Sequence, residues 1–167
     1  MKKIVLIILI TSCFAFNMSH AQEKGSKIPS IEVKTLDRKT INFQEIRNEK
    51  KPIIISFWAT WCKPCIKELN NIAEVYEDWQ NETGVKLVAV SIDDMRSMNK
   101  VSPFVNASDW EYDILLDPNR DLARALGVTS VPHTFLLDGS RRIVWNHKGY
   151  VEGDEDELFE KVKKLID

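Results

Sequence analysis

The chain has 167 residues, 44% of them hydrophobic and 29% charged, with a net charge of −2 at neutral pH. This composition suits one compact domain with its own core and leaves little room for a second. It carries no basic surplus, which argues against a nucleic-acid partner.

Met1-Lys2-Lys3 followed by Ile4 to Ile10 is a basic start with an apolar run too short to span a bilayer as a mature helix. It reads as a secretory signal, and the small residues of Ser19-His20-Ala21 place cleavage after Ala21. Two alternatives stay open: lipidation at Cys13, and retention of the segment as an uncleaved anchor. Residues 22–28 read as a polar linker and 29–167 as the domain. Loss of residues 1–21 removes Lys2 and Lys3 and no acid, so the net charge falls from −2 to −4. It also removes Cys13, which leaves Cys62 and Cys65, three apart, in a compartment that permits disulfides.

Residues 31–36 and 40–43 read as two short strands around Asp37-Arg38-Lys39, an amino-terminal hairpin. From Pro52, Ile53-Ile54-Ile55-Ser56-Phe57-Trp58 is a bounded, β-branched run without alternation, as in a strand covered on both faces. The cysteine motif follows at once. Ile66, Leu69, Ile72, Ala73, Tyr76 and Trp79 then recur at helical spacing to about Gln80. Val85 to Ile92 reads as a second buried strand, parallel to the first through a right-handed crossover, so the cysteines lie at a carboxyl edge of the sheet. A less regular helical stretch around Met95 to Ala107 precedes a strand at Tyr112 to Leu116 and a helix at Asn119 to Leu126, with Gly127 as its cap. Thr134 to Leu137 and Arg142 to Asn146, joined through Asp138-Gly139, form a hairpin, and 154–166 an amphipathic last helix. The expected class is α/β with a mixed sheet flanked by helices.

A cycling dithiol needs one exposed, acidified sulfur to attack and a second to resolve the mixed disulfide. At a helix start, Cys62 faces unpaired backbone N–H groups and the positive end of the helix dipole, which lower its pKa, while Cys65 lies one turn inward. Pro64 suits the first turn, where its missing N–H costs nothing, and Lys63 adds exposed positive charge. Two other readings of the pair remain: a static disulfide, and half of a zinc or copper site completed by His133 or His147.

Phe57-Trp58-Ala59-Thr60-Trp61-Cys62-Lys63-Pro64-Cys65, together with Gly127-Val128-Thr129-Ser130-Val131-Pro132-His133-Thr134-Phe135-Leu136, resembles the thioredoxin superfamily, and within it the TlpA/ResA-like branch. The likeness covers the whole mature chain, including the amino-terminal hairpin and an insertion between roughly Asp93 and Leu116. It implies a thioredoxin fold in which Pro132 is a cis-proline against the cysteine pair and Val131 presents backbone groups to an extended substrate segment. It further implies that Glu68, three residues after Cys65, exchanges a proton with it, and that Trp61 forms part of an apolar docking surface. Ser56 stands where thioredoxins proper carry a buried aspartate, which makes Glu68 the substitute acid. Two departures are Asn70, where many relatives have a proline, and His133, where threonine is common. The latter puts an ionisable ring near the site, with a partly exposed strand-edge position the plainer expectation.

The leading expectation is an exported, membrane-side thiol-disulfide oxidoreductase with no cofactor beyond the Cys62-Cys65 pair. Its partners would be cysteine-containing exported proteins, apocytochrome c among them, and a membrane thiol electron donor; a monomer is expected. A copper or zinc carrier using Cys62, Cys65 and His133 is the non-enzymatic alternative. A peroxiredoxin is the second, against which stand Ile55 and Ala59 where a peroxidatic cysteine has a proline seven positions and a threonine three positions before it.

Overall fold

The computed structural model describes residues 25–166; the expected signal segment, and Cys13 with it, lies outside the described residues. The chain forms β1 (Ser26–Lys27), β2 (Glu32–Thr35), β3 (Thr40–Asn42), β4 (Ile53–Trp58), α1 (Lys63–Thr83), β5 (Lys86–Ser91), α2 (Val101–Asn106), β6 (Asp113–Leu116), α3 (Asp121–Ala125), β7 (His133–Leu137), β8 (Arg142–Lys148) and α4 (Asp154–Lys163). The strands make one sheet in the order β1-β8-β7-β4-β5-β6-β2-β3. β4 runs parallel to β5 and antiparallel to β7, β5 runs parallel to β6, and the β2–β3 hairpin joins β6 antiparallel. This is the expected mixed α/β sheet with an amino-terminal hairpin and a central insertion.

β4 lies in the middle because all six of its side chains are buried, so neither face of the strand can be polar. α1 buries Cys65, Leu69, Ile72, Tyr76 and Trp79 along one stripe. It runs three residues past Gln80 because Gly84, at φ 68°, is the first residue to turn left-handed, and its N–H closes the helix on the Gln80 carbonyl at 2.8 Å. α4 shares the face of the sheet that α1 covers, with Phe159 stacked on Trp79 at 4.7 Å between ring centres.

Several boundaries differ from the sequence reading. Ser26–Lys27, inside the stretch read as linker, pairs with Arg142–Ile143 as an edge strand. Backbone pairing at an edge needs no side-chain pattern, so composition carried no sign of it. α3 begins at Asp121 rather than Asn119 because Arg120 is left-handed, at φ 59°. The irregular stretch resolves into a 3-10 turn at Met98–Lys100 leading into α2, with Pro103 in the first helical turn. From there Trp110 packs edge-on against Trp58, with ring centres 5.0 Å apart.

Candidate active site

After Trp58 the chain leaves the sheet through Ala59-Thr60-Trp61, and the Cys62 N–H turns back to the Ala59 carbonyl at 2.9 Å. Cys62 then caps α1, with its sulfur accepting the Cys65 N–H at 3.4 Å. Lys63 and Pro64 follow as the first two helical residues, both exposed. Cys62 and Cys65 are joined as a disulfide with Cα atoms 5.3 Å apart. Cys62 keeps 5% of its surface exposed and Cys65 none, so an external sulfur can approach only Cys62. Trp61 stands beside it with 63% of its surface in solvent.

One turn beyond Cys65, the Glu68 carboxyl points into the sheet. Ser56 of β4 and Thr134 of β7 are direct cross-strand partners, so their hydroxyls emerge side by side on the α1 face. Ser56 donates to Glu68 Oε2 at 3.1 Å and Thr134 to Oε1 at 2.6 Å. Burial is the dominant influence and raises the Glu68 pKa to about 7; the two hydroxyls pull the other way, and the charges of Asp154 and Glu155 on α4 add to the rise. A buried carboxyl poised near neutrality, one turn from a buried sulfur, is suited to holding the proton that Cys65 must give up. The helix is unbroken through Asn70, whose Oδ1 accepts the Trp110 indole N–H at 2.9 Å.

The Val131–Pro132 bond is cis, as the resemblance implied, and leads directly into β7. Val131 is half-buried against the core, and the Pro132 carbonyl is taken by the Gly149 N–H at 2.9 Å.

His133 corrects the expectation of a partly exposed strand-edge ring: only 2% of its surface is exposed. The reason is topological, since β7 lies between β4 and β8 and its first residue is covered from both sides. Alternation turns it away from the face that Thr134 shares with Glu68. There its ring stacks on Phe135 at 4.2 Å and its Nε2 meets Asn146 Oδ1 at 3.2 Å. Burial lowers its pKa, opposed by the bond to Asn146. Both cysteine sulfurs are spent on each other, and among the described residues no group of three His, Cys, Asp or Glu side chains is placed to hold a metal. His147 lies at the surface, 3.3 Å from Asp154.

Two features escaped the sequence reading. One is Thr134, whose role depends on the register of β7 against β4. The other is Asp93, only 1% exposed, at the carboxyl end of β5. Its carboxylate accepts the Thr60 N–H at 2.8 Å, the Thr60 hydroxyl at 2.7 Å and the Ser91 hydroxyl at 2.9 Å, pinning the loop that delivers Cys62. An acid directly after a buried strand at the carboxyl edge was the available signal.

The comparisons with known proteins agree with this architecture. The profile described as AhpC/TSA family matches residues 24–146. A thiol-disulfide oxidoreductase ResA of Bacillus thuringiensis is 29% identical over 169 residues, covering 96% of this chain and 94% of that protein. The sporulation thiol-disulfide oxidoreductase A of Bacillus subtilis is 29% identical over 136 residues, covering 80% and 75%. The solution structure of an uncharacterized thioredoxin-like protein from Porphyromonas gingivalis superposes with a TM-score of 0.75 at 49% identity, over 83% of this chain and 91% of that one. With the match spanning well over half its length and the thioredoxin-like fold around the cysteine pair, the chain belongs to the AhpC/TSA family.

Proposed function

We propose that the chain is a thiol-disulfide oxidoreductase that works outside the cytoplasm and reduces disulfides of exported proteins, with cytochrome c maturation as one setting for such clients. The observation that carries this reading is the pairing of a reachable Cys62 at a helix start with a buried Cys65 and, one turn on, a buried Glu68 whose pKa is raised to about 7. Names of relatives such as thiol-disulfide oxidoreductase ResA support the same chemistry.

In the reduced enzyme the Cys62 thiolate attacks a client disulfide. A bond forms between Cys62 Sγ and one client sulfur, the client S–S bond breaks, and the departing client thiolate takes up a proton from solvent. Cys65 then gives its proton to the Glu68 carboxylate and attacks Cys62 Sγ. This forms the Cys62–Cys65 disulfide and releases the second client sulfur as a thiolate. Two electrons pass to the client, and a membrane thiol donor returns them to the enzyme. Trp61 and the backbone beside Val131 and Pro132 form the docking edge for an extended client segment.

Replacing Cys65 with serine is expected to trap a client on Cys62 as a stable mixed disulfide, seen as a reducible adduct. Adducts forming only with Cys62 replaced and Cys65 kept would reverse the two roles. Equilibration with glutathione tests direction: a pair that stays oxidised against a reducing glutathione mixture is a reductant. The family match keeps the peroxidase reading in view, yet Ile55 and Ala59 occupy the positions where a peroxidatic cysteine has its proline and threonine. Rapid peroxide consumption by the purified protein would replace the proposal.

A further inference from the structure

The segment that joins β8 to α4, from Gly149 to Glu155, is tied down at several points around Glu68. The Gly149 N–H holds the carbonyl of the cis-proline, Pro132, at 2.9 Å. Glu152 pairs at the surface with Lys67, one residue before Glu68, at 2.5 Å. Three residues after Glu68, Asn71 donates to the Tyr150 hydroxyl at 2.7 Å and to Glu155 Oε1 at 3.2 Å. This strap therefore grips α1 on both sides of Glu68 and reaches back to the entry of β7.

Within the strap Tyr150 and Glu155 lock each other. The Tyr150 hydroxyl donates to Glu155 Oε2 at 2.7 Å, and the Gly153 N–H reaches the same oxygen at 2.9 Å. The Asn71 amide, the Tyr150 hydroxyl and the Gly153 N–H are all neutral donors, so they steady the carboxylate without cancelling its charge. Burial by itself would raise the Glu155 pKa, but the bonds from Tyr150, the backbone and Asn71 together lower it, and the group stays ionised at neutral pH. Tyr150 moves the other way: burial raises its pKa, and so does the bond to Glu155, which keeps the hydroxyl a donor.

Residues three apart on a helix have Cβ atoms about 5–6 Å apart, so the charge that Asn71 grips stands beside Glu68, which keeps only 5% of its surface in solvent. The other groups around this carboxyl act differently. Asp154 also bears on it, but it lies 3.3 Å from His147, a partner that offsets its charge once protonated. Lys67 is engaged by Glu152, and Cys65 is spent in the disulfide. Tyr112, whose hydroxyl donates to the Leu69 carbonyl at 2.7 Å, is kept neutral by burial. From β4 and β7 come only the hydroxyls of Ser56 and Thr134.

We propose that Tyr150 and Glu155 are positioning residues for Glu68: with Asn71 they hold the strap closed over its carboxyl, keep water from it and fix a negative charge beside it. Both effects favour the protonated acid, so the acceptor for the Cys65 proton gives that proton up to solvent only near neutrality. The proposal rests on the reading above in which Glu68 takes the Cys65 proton.

Two titrations of the purified protein test it. The Glu68 carboxyl is followed by carbon-13 NMR. In parallel, reduced enzyme is mixed with oxidised glutathione, and release of the second glutathione from Cys62 is timed across the same pH range. Glu155→Gln keeps a hydrogen-bonding side chain of the same shape and removes the charge. It is expected to lower the Glu68 midpoint by about half a unit and to speed release about threefold near pH 6, where the acceptor is mostly protonated. Tyr150→Phe should move both in the same direction by opening the strap to water. Asp156→Asn, at an exposed acid in the same first turn of α4, should move neither.

A third measurement needs no variant. In the wild type the Gly149 and Gly153 amides, bonded to Pro132 and Glu155, should be protected together from hydrogen exchange. Free exchange at both overturns the closed strap. A Glu68 midpoint that stays in place in Glu155→Gln and Tyr150→Phe overturns the proposal. So does an equal shift in Asp156→Asn, which would make the effect one of overall charge. A midpoint that moves while glutathione release keeps its wild-type pH dependence would leave the positioning role standing and count against Glu68 as the acceptor for Cys65.

Discussion

The two faces of the β4–β7 pair hold the same kind of object in opposite ways. On the α1 face Ser56 and Thr134 direct hydroxyls at Glu68, and on the other face Phe57 and Phe135 meet edge to face at 5.9 Å beside His133. Burial favours the neutral form of both ionisable groups, raising the acid to about 7 and lowering the imidazole. They differ in what they can do with a proton. Glu68 has two donors that steady its carboxylate form and a cysteine one turn away on its own helix. His133 has one amide oxygen, on Asn146, and an aromatic neighbour. Proximity in sequence to the cis-proline therefore does not make His133 part of the proton path, because strand alternation sends it to the far side of the sheet.

The largest expected effect comes from removing the acid. Glu68→Gln should slow release of client from the mixed disulfide on the order of a hundredfold, measured by single-turnover quench, because Cys65 loses its proton acceptor. The same variant alters stability against pH. The folded protein holds the Glu68 proton up to about pH 7 and the unfolded chain only to about 4.5. The resulting stabilisation is thus fully present below about 4.5 and is lost as pH rises through about 7. From the size of the shift it is about 3 kcal/mol, and denaturant titrations across that window should show wild-type stability falling with rising pH relative to that of the glutamine variant. A wild-type stability that instead rises with pH relative to the variant would mean that the carboxyl is stabilised as the anion.

Thr134→Val is the intermediate case. It deletes the shorter of the two hydrogen bonds, so the Glu68 pKa should rise further and the pH at which activity appears should move up with it. Stability should fall by about 1–3 kcal/mol for the lost donor to a buried acceptor. The smallest effect is expected from His133→Phe, which keeps a ring for stacking on Phe135 and removes the titrating group. Activity should change by less than about threefold, and the pH profile should stay in place. A profile shifted as far as in Thr134→Val would dissolve the distinction between the two faces.

Much of this is legible in the sequence. The unalternating Ile53–Trp58 run, the helical stripe after it and the turn signals at Asp37-Arg38-Lys39 and Asp138-Gly139 depend on local pattern, and local pattern survives folding. The likeness in two motifs, 57–65 and 127–136, implied the cis bond at Pro132, which propensity alone would not have suggested. Harder to read were features made by register or by crossing contacts: the edge strand at Ser26–Lys27 and the Asp93 clamp on Thr60.

The sequence by itself determined that this is an α/β fold in which Cys62 and Cys65 open a helix after a buried strand. Helix-start geometry and residue spacing suffice for that, and with it for the expectation that Cys62 attacks and Cys65 resolves. Only the tertiary structure decided the protonation setting of the site. Whether Glu68 is solvated or buried, whether two hydroxyls face it and whether His133 joins it depend on which strands flank β7 and in what register. Desolvation is a property of what surrounds a group, and the surroundings here come from residues that the chain keeps far apart.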